Sequence, residues 1–253
     1  MAAFGSPDPI SIQGHPALPR RINLSSVDIL FVRHGQPQWA INGISQRDPN
    51  LTELGLQQSE LAAKRIATEK KPAASLVVSP ATRSQETAVP IAVETGLEIE
   101  TVDSLLEIQM PDWQGVTEEA VIEIFRTSRH RTPEEWWEGL PGGESFRRFH
   151  DRVTTALEGL LGEHGVSRDE GDPRRWHVED DQCRIVIVAH GGTNSVCLAH
   201  LMGTPPSPWE WEKFVLFHAS FARVGFIPLA GAHVPSLRTF NDQDHIPIAM
   251  RSR

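Results

Sequence analysis

Two short runs constrain this chain more than any other feature: Ile29-Leu30-Phe31-Val32-Arg33-His34-Gly35 and Ile185-Val186-Ile187-Val188-Ala189-His190-Gly191-Gly192. Each is apolar and β-branched, and each ends in a histidine followed by glycine. Continuous apolar runs of this length, bounded by turn residues, predict strands buried on both faces. In open α/β sheets the carboxyl ends of such strands are where ligands bind. Two imidazoles so placed, more than half the chain apart in sequence, predict one shared pocket. Arg33 predicts that the pocket takes an anion, because a guanidinium fork matches phosphate or carboxylate oxygens.

The rest of the chain alternates strand and helix signals from Val27 onward. Thr52 is a good N-cap for a helix running to about Thr68. A short strand at Leu76–Ser79 leads into a helix through Ala92, with Pro90 limiting or kinking its end, and Glu98–Val102 is a further strand. Helices follow at Thr117–Ser128 and from Ser145 to about Gly162, and Thr193–Leu201 is a helix after the second histidine. Later strands are expected at Phe214–Phe217 and Ala222–Ile227. The pattern predicts an α/β fold, a three-layer α/β/α sandwich around a mostly parallel sheet. We expect an extended or disordered leader over residues 1–26 and a single domain over 27–253. Within it lie a cap-like insertion at about 116–140 and a charged surface loop at about 164–182.

Composition narrows the function classes. The 253 residues carry a formal net charge of −9, which argues against a general nucleic-acid binder. No apolar run approaches the ~20 residues of a membrane span. Residues 1–21 lack a signal-like apolar segment and contain Pro7, Pro9, Pro16 and Pro19. The two cysteines, Cys183 and Cys197, have no ligand-like spacing, and no zinc-protease or phosphate-loop motif occurs. The expectations are a cytoplasmic protein with no metal, no cofactor, and no nucleic-acid or membrane partner. Edge strands near the C-terminus leave room for a homodimer.

The candidate chemistry gathers further residues. A helix starting at Gly191-Gly192 would offer backbone N–H groups to an anion. Arg83, in Ser79-Pro80-Ala81-Thr82-Arg83, follows a third strand end and could bring a third cation to the crevice. Taken singly, each element has an ordinary reading as a turn, a solvated helix residue or an exposed carboxylate. Their joint occurrence in order points to a site.

Six ordered segments resemble the histidine phosphatase superfamily, branch 1, the phosphoglycerate-mutase-like group. They are Leu30–Gln36, Leu51–Gln58, Val78–Ala88, Leu106-Glu107 with Trp113-Gln114-Gly115, Pro141–Ser145 and Ala189–Gly192. The resemblance implies that His34 is a nucleophile that becomes phosphohistidine. It implies that Arg33, Arg83 and Gly191 bind phosphoryl oxygens, that His190 donates to the transferring group, and that Glu107 is the general acid and later the base. His34 would stay neutral beside the arginines, while a phosphate dianion would favour protonated His190. The segment from Glu107 to Gly115 is similar to the phosphatase type, which implies a metal-independent phosphomonoesterase acting on a small phosphorylated metabolite. The alternatives are a cofactor-dependent phosphoglycerate mutase and a phospho-ligand-binding pseudoenzyme. Two places depart from the family pattern. Pro37 and Ala40 stand where Thr or Ser and then Asn are frequent, and His218-Ala219-Ser220 replaces an Asn-led triplet. Gln36, Asn42, Gln46 and His218 are therefore the candidates to complete substrate binding. In the cap, Trp136 and Trp137 could stack on a substrate or pack as an amphipathic lid, and Trp209 and Trp211 are expected to serve packing more than recognition.

Overall fold

The computed structural model describes residues 27–179, 183–229 and 231–253; the expected leader at 1–26 lies outside them. In chain order the first elements are β1 (Asp28–Arg33), β2 (Ala40–Ile41), β3 (Ile44–Ser45), α1 (Glu53–Ala67), β4 (Ser75–Val78), α2 (Thr82–Thr95) and β5 (Ile99–Thr101). There follow α3 (Glu118–Ser128), α4 (Pro133–Glu138), α5 (Phe146–Glu163), β6 (Val166–Arg168), β7 (Trp176–Val178), β8 (Arg184–Ala189), α6 (Gly191–Leu201), α7 (Glu210–Lys213), β9 (Phe221–Leu229) and β10 (Ala232–Asp242). Eight strands form one sheet in the order β5-β4-β8-β1-β9-β10-β7-β6, and β2 pairs only with β3.

Side chains alternate across the sheet, so its two faces build two cores. Ile29, Phe31, Ile185 and Ile187 face α5 and α6, packing on Phe146, Phe149, Val153 and Val196. Leu30, Val32, Val186 and Val188 face α1 and α2, packing on Ala62, Ile66, Ala88 and Ile91. This is why the two histidine-bearing runs are apolar at every position.

Register then positions the site. β1 and β8 are parallel neighbours with Arg33 opposite Ala189, and β4 pairs on the other side of β8 with Val78 opposite Val188. His34 N donates to Ala189 O at 3.0 Å, and Ser79 N to Val188 O at 3.0 Å. The residues immediately beyond three adjacent strands, His34, His190 and Ser79, therefore emerge side by side.

The sheet differs from the sequence expectation in its far half. β5, β4, β8 and β1 are parallel, whereas β9, β10, β7 and β6 run antiparallel to their neighbours. The expected surface loop at 164–182 contains the β6–β7 hairpin, with Trp176 fully buried in the main core. Three-residue strands are too short for alternation to show, and the charges around them dominate the composition. Phe214–Phe217 is not a strand. Side chains take up its backbone groups: Ser195 Oγ donates to Phe214 O, and Phe217 N donates to Asn241 Oδ1. Pro90 does not limit α2, which continues to Thr95 and closes on left-handed Gly96 (φ 74°).

Candidate active site

His34 is fixed by its own neighbour. Its Nδ1 lies 2.8 Å from Gly35 O, a carbonyl that can only accept, so Nδ1 carries the proton. Nε2 then holds a lone pair, and Arg83 Nε donates to it at 3.3 Å. The same guanidinium donates through Nη2 to His190 Nδ1 at 3.0 Å. The His190 Nε2–H is left to donate to Ser79 Oγ at 2.7 Å. The ring centroids of His34 and His190 are 5.2 Å apart. Arg83 thus bridges the inward nitrogens of both imidazoles.

Both rings are driven well below the ordinary histidine range, first by burial and then by the neighbouring guanidinium charges of Arg83 and Arg33. Desolvation disfavours the charged form, and nearby cations add to it. The ligand-free pocket therefore holds His34 and His190 both neutral, so a charged His190 would require an incoming dianion.

Arg33 closes the pocket's floor. Nη1 donates to Leu216 O, and Nη2 donates to His218 Nε2 at 3.2 Å. Its Nε is buried with no protein partner, next to Gly191, where an added Cβ would sit 3.6 Å from it. An orphaned buried N–H beside a helix N-terminus is a place for an anion's oxygen. Burial, opposed by Glu107, lowers Arg33 to about 10, so it keeps its charge at neutral pH.

Glu107 reaches the same helix from the loop after β5. One carboxylate oxygen accepts from Gly192 N at 2.8 Å and the other from Ile108 N at 3.0 Å. The carboxylate replaces a side-chain cap that His190, at the N-cap of α6, does not supply. The loop bearing Glu107 is held by Arg152 of α5, which donates to the carbonyls of Ser104, Leu106 and Glu107 and to both carboxylate oxygens of Glu144. The Pro141–Ser145 turn is therefore a brace for the Glu107 loop rather than only a helix start.

The remaining sequence candidates separate. His218 is buried, with Nδ1 2.9 Å from Ser252 Oγ and its ring centroid 5.8 Å from that of His34. Gln46 lines a chamber adjoining the site, and its amide donates to Ile44 O. Gln36 is turned away, accepting from Thr52 Oγ1 through its side chain. Asn42 sits in the exposed β2–β3 turn at φ 51° and does not line the site. Gly35 lacks a side chain for packing reasons: an added Cβ would lie 2.5 Å from Gly55 O, at the start of α1.

Sequence reasoning missed three residues here. Arg152 carried no local signal, being one arginine on an amphipathic helix. Ser79 was quoted only as part of a strand end. Trp39 lies between the two departures at Pro37 and Ala40, and its ring stacks on the Arg83 guanidinium at 4.9 Å. Those two positions mark where this chain puts an aromatic wall.

His34 opens into a cavity of about 870 Å³ that reaches Trp136, Trp209 and Trp211. A second chamber of about 810 Å³ adjoins it across Trp39, Phe125 and the Glu107–Met110 segment. A tetrahedral anion between Arg33, Arg83 and the start of α6 would meet a histidine lone pair on one side and a carboxyl group nearby.

Known proteins are similar to this chain in sequence and fold. A glucosyl-3-phosphoglycerate phosphatase of Mycobacterium tuberculosis is 30% identical over 186 residues, covering 72% of this chain and 78% of its own. Phosphoglycerate mutase-like protein 4 of Arabidopsis thaliana is 32% identical over 174 residues, 65% of this chain and 66% of its own. The solved structure of a mycobacterial glucosyl-3-phosphoglycerate phosphatase with inorganic phosphate superposes at a TM-score of 0.64, with 25% identity, over 88% of this chain and all of that one. The family model of the histidine phosphatase superfamily (branch 1) matches residues 29–234, and the chain belongs to that superfamily.

Proposed function

We propose that this chain is a metal-independent phosphomonoesterase that works through a phosphohistidine on His34 and acts on a small phosphorylated metabolite. The observation that carries the reading is the state of His34: Nδ1–H is spent on Gly35 O, and the Nε2 lone pair faces Arg83 and His190. A neutral imidazole so fixed is a nucleophile across a wide pH range.

In the first half-reaction His34 Nε2 attacks phosphorus, the P–O bond to the alcohol breaks, and Glu107 gives its proton to the departing oxygen. In the second, Glu107 takes a proton from water, the resulting oxygen attacks phosphorus, and the P–N bond breaks. The electron pair returns to His34, and inorganic phosphate leaves. The transition state spreads charge over three equatorial oxygens, so fixed donors matter more than covalent help. Arg33 Nε, Arg83 and the N-terminus of α6 supply them. A bound dianion would displace Arg83 from both imidazoles and favour protonated His190, which then donates to the phosphoryl group.

The test is hydrolysis of p-nitrophenyl phosphate and a phospho-metabolite panel in EDTA, with wild type and His34→Ala. Turnover that survives EDTA and is lost in the variant, with an acid-labile phosphoenzyme trapped in wild type, supports the reading. Phosphate binding without turnover would instead make the chain a pseudoenzyme. Primer-dependent transfer between phosphoglycerate positions would make it a mutase.

A further inference from the structure

The cavity beyond the histidines is built for a flat, apolar group. Trp136 of α4 meets Trp209 and Trp211, at the head of and within α7, with ring centroids 6.3 Å apart in each case. Trp137, its neighbour in sequence, instead packs on Phe146 in the core at 5.4 Å. Trp136, Trp209 and Trp211 line the cavity, and Trp211 also packs on Phe146 of the core at 5.8 Å. At the partition near the catalytic end, Trp39, Phe125 and Met110 are 47%, 44% and 39% exposed, and all three border the cavity. Apolar surface of this extent around an anion site is costly unless something covers it.

Several polar groups at that end are already committed. Ser128 Oγ donates to Ile124 O at 2.7 Å. Arg131 donates to the carbonyls of Glu135 and Gly139. Arg129 is exposed and 3.8 Å from Glu212. Glu144 is spent on Arg152 and Gln109 N. Arg253 is close enough to Arg33 to depress it, and so belongs to the phosphate end. Among the described residues lining the cavity, Arg129 and Glu212 are the charged side chains left exposed at the tryptophan end, and at 3.8 Å they lean toward each other.

We propose, building on the phosphomonoesterase reading, that the alcohol portion of the substrate carries a planar apolar ring that sits among Trp136, Trp209 and Trp211 while its phosphate lies on Arg33 and Arg83. Aromatic surfaces gain from stacking as well as from area buried, and hydrophobic sites discriminate through such terms by one to two powers of ten.

The test compares kcat/KM for 2-naphthylmethyl phosphate and glycerol phosphate. Both are esters of alkyl alcohols, so leaving-group acidity does not decide the outcome. A preference of about 10- to 100-fold for the naphthylmethyl ester is expected. Trp136→Leu, which keeps apolar packing but not the ring, should cut that ratio about tenfold, and Trp136→Phe should retain most of it. A ratio near one or below, or a ratio unmoved in Trp136→Leu, overturns the proposal. If neither ester turns over, the phosphomonoesterase reading fails, and binding then judges the cavity. Tighter calorimetric binding of 2-naphthylmethylphosphonate than of methylphosphonate supports the ring site, and equal binding overturns it.

Discussion

The backbone N–H of Gly192 donates to the Glu107 carboxylate at 2.8 Å, and a methyl group at Gly192 would stand 2.4 Å from that same carboxylate. The helix proposed to offer donors to a phosphate therefore also locates the proposed acid. Gly192→Ala should displace Glu107 and lower kcat for alkyl phosphates by about 10- to 100-fold, approaching the range of a lost general acid. Glu107→Gln should cost more, on the order of 10² to 10⁴. With p-nitrophenyl phosphate, whose leaving group needs no proton, Glu107→Gln should release one equivalent of nitrophenolate per enzyme and then stall. Stopped-flow absorbance reads this directly, and a linear trace without a burst would remove Glu107 from the role of base.

Arg152 supports that acid from behind. Its five donors go to three carbonyls of the Glu107 loop and to both oxygens of Glu144. Lysine cannot reproduce a planar fork of this kind. Arg152→Lys should lower kcat about tenfold or more with KM little changed, and cost about 1–2 kcal/mol of stability, since the charge opposite Glu144 is kept but several of its hydrogen bonds to the loop carbonyls are lost. Thermal unfolding gives the second quantity. A normal kcat at reduced stability would confine Arg152 to a structural role.

The parallel half of the sheet and the histidine pair were legible because β1 and β8 are buried on both faces, which forces an unbroken apolar run ending where the ligand binds. Helices with side-chain N-caps at Thr52, Thr117 and Ser145 were legible for the same local reason. The antiparallel half was not. β6 and β7 are too short to show alternation, and β10 carries Pro235 and a mixed face. In the site, Arg33, His34, Arg83, His190 and Glu107 come together as expected from ordered motifs. The residues that orient or enclose them, Arg152 and Trp39, act across long sequence separations and leave no local pattern.

Neutral imidazoles in the free site make a direct spectroscopic prediction. His34 and His190 are held well below the ordinary range by burial and the adjacent cations. In ¹⁵N-histidine NMR their ring signals should stay in the neutral form from pH 8 down to pH 5. Saturating inorganic phosphate should move His190 toward the charged form by at least about one pH unit, since the added dianion reverses the local field. A free enzyme in which either ring titrates near 6.5 would contradict the geometry of Arg83 between them.

His218 makes the pH dependence of stability testable at a single buried residue. Its Nε2 accepts from Arg33 Nη2 at 3.2 Å, and Nδ1 lies 2.9 Å from Ser252 Oγ. Burial first, and then Arg33, push it down to about 3. Below pH 6.5 the unfolded chain protonates this ring and the folded chain does not, so the unfolded state gains protons and folding weakens. The loss runs from about pH 6.5 toward the folded value near 3 at a limiting slope of about 1.4 kcal/mol per pH unit for one such histidine. The stability it contributes is fully present above 6.5. Gln in its place can still accept from Arg33 but cannot titrate. His218→Gln should therefore flatten the fall of unfolding free energy between pH 7 and pH 5 by up to that slope, measured by urea denaturation at each pH. Parallel curves for wild type and variant would mean that His218 is charged in the folded protein, which the hydrogen bond from Arg33 does not allow.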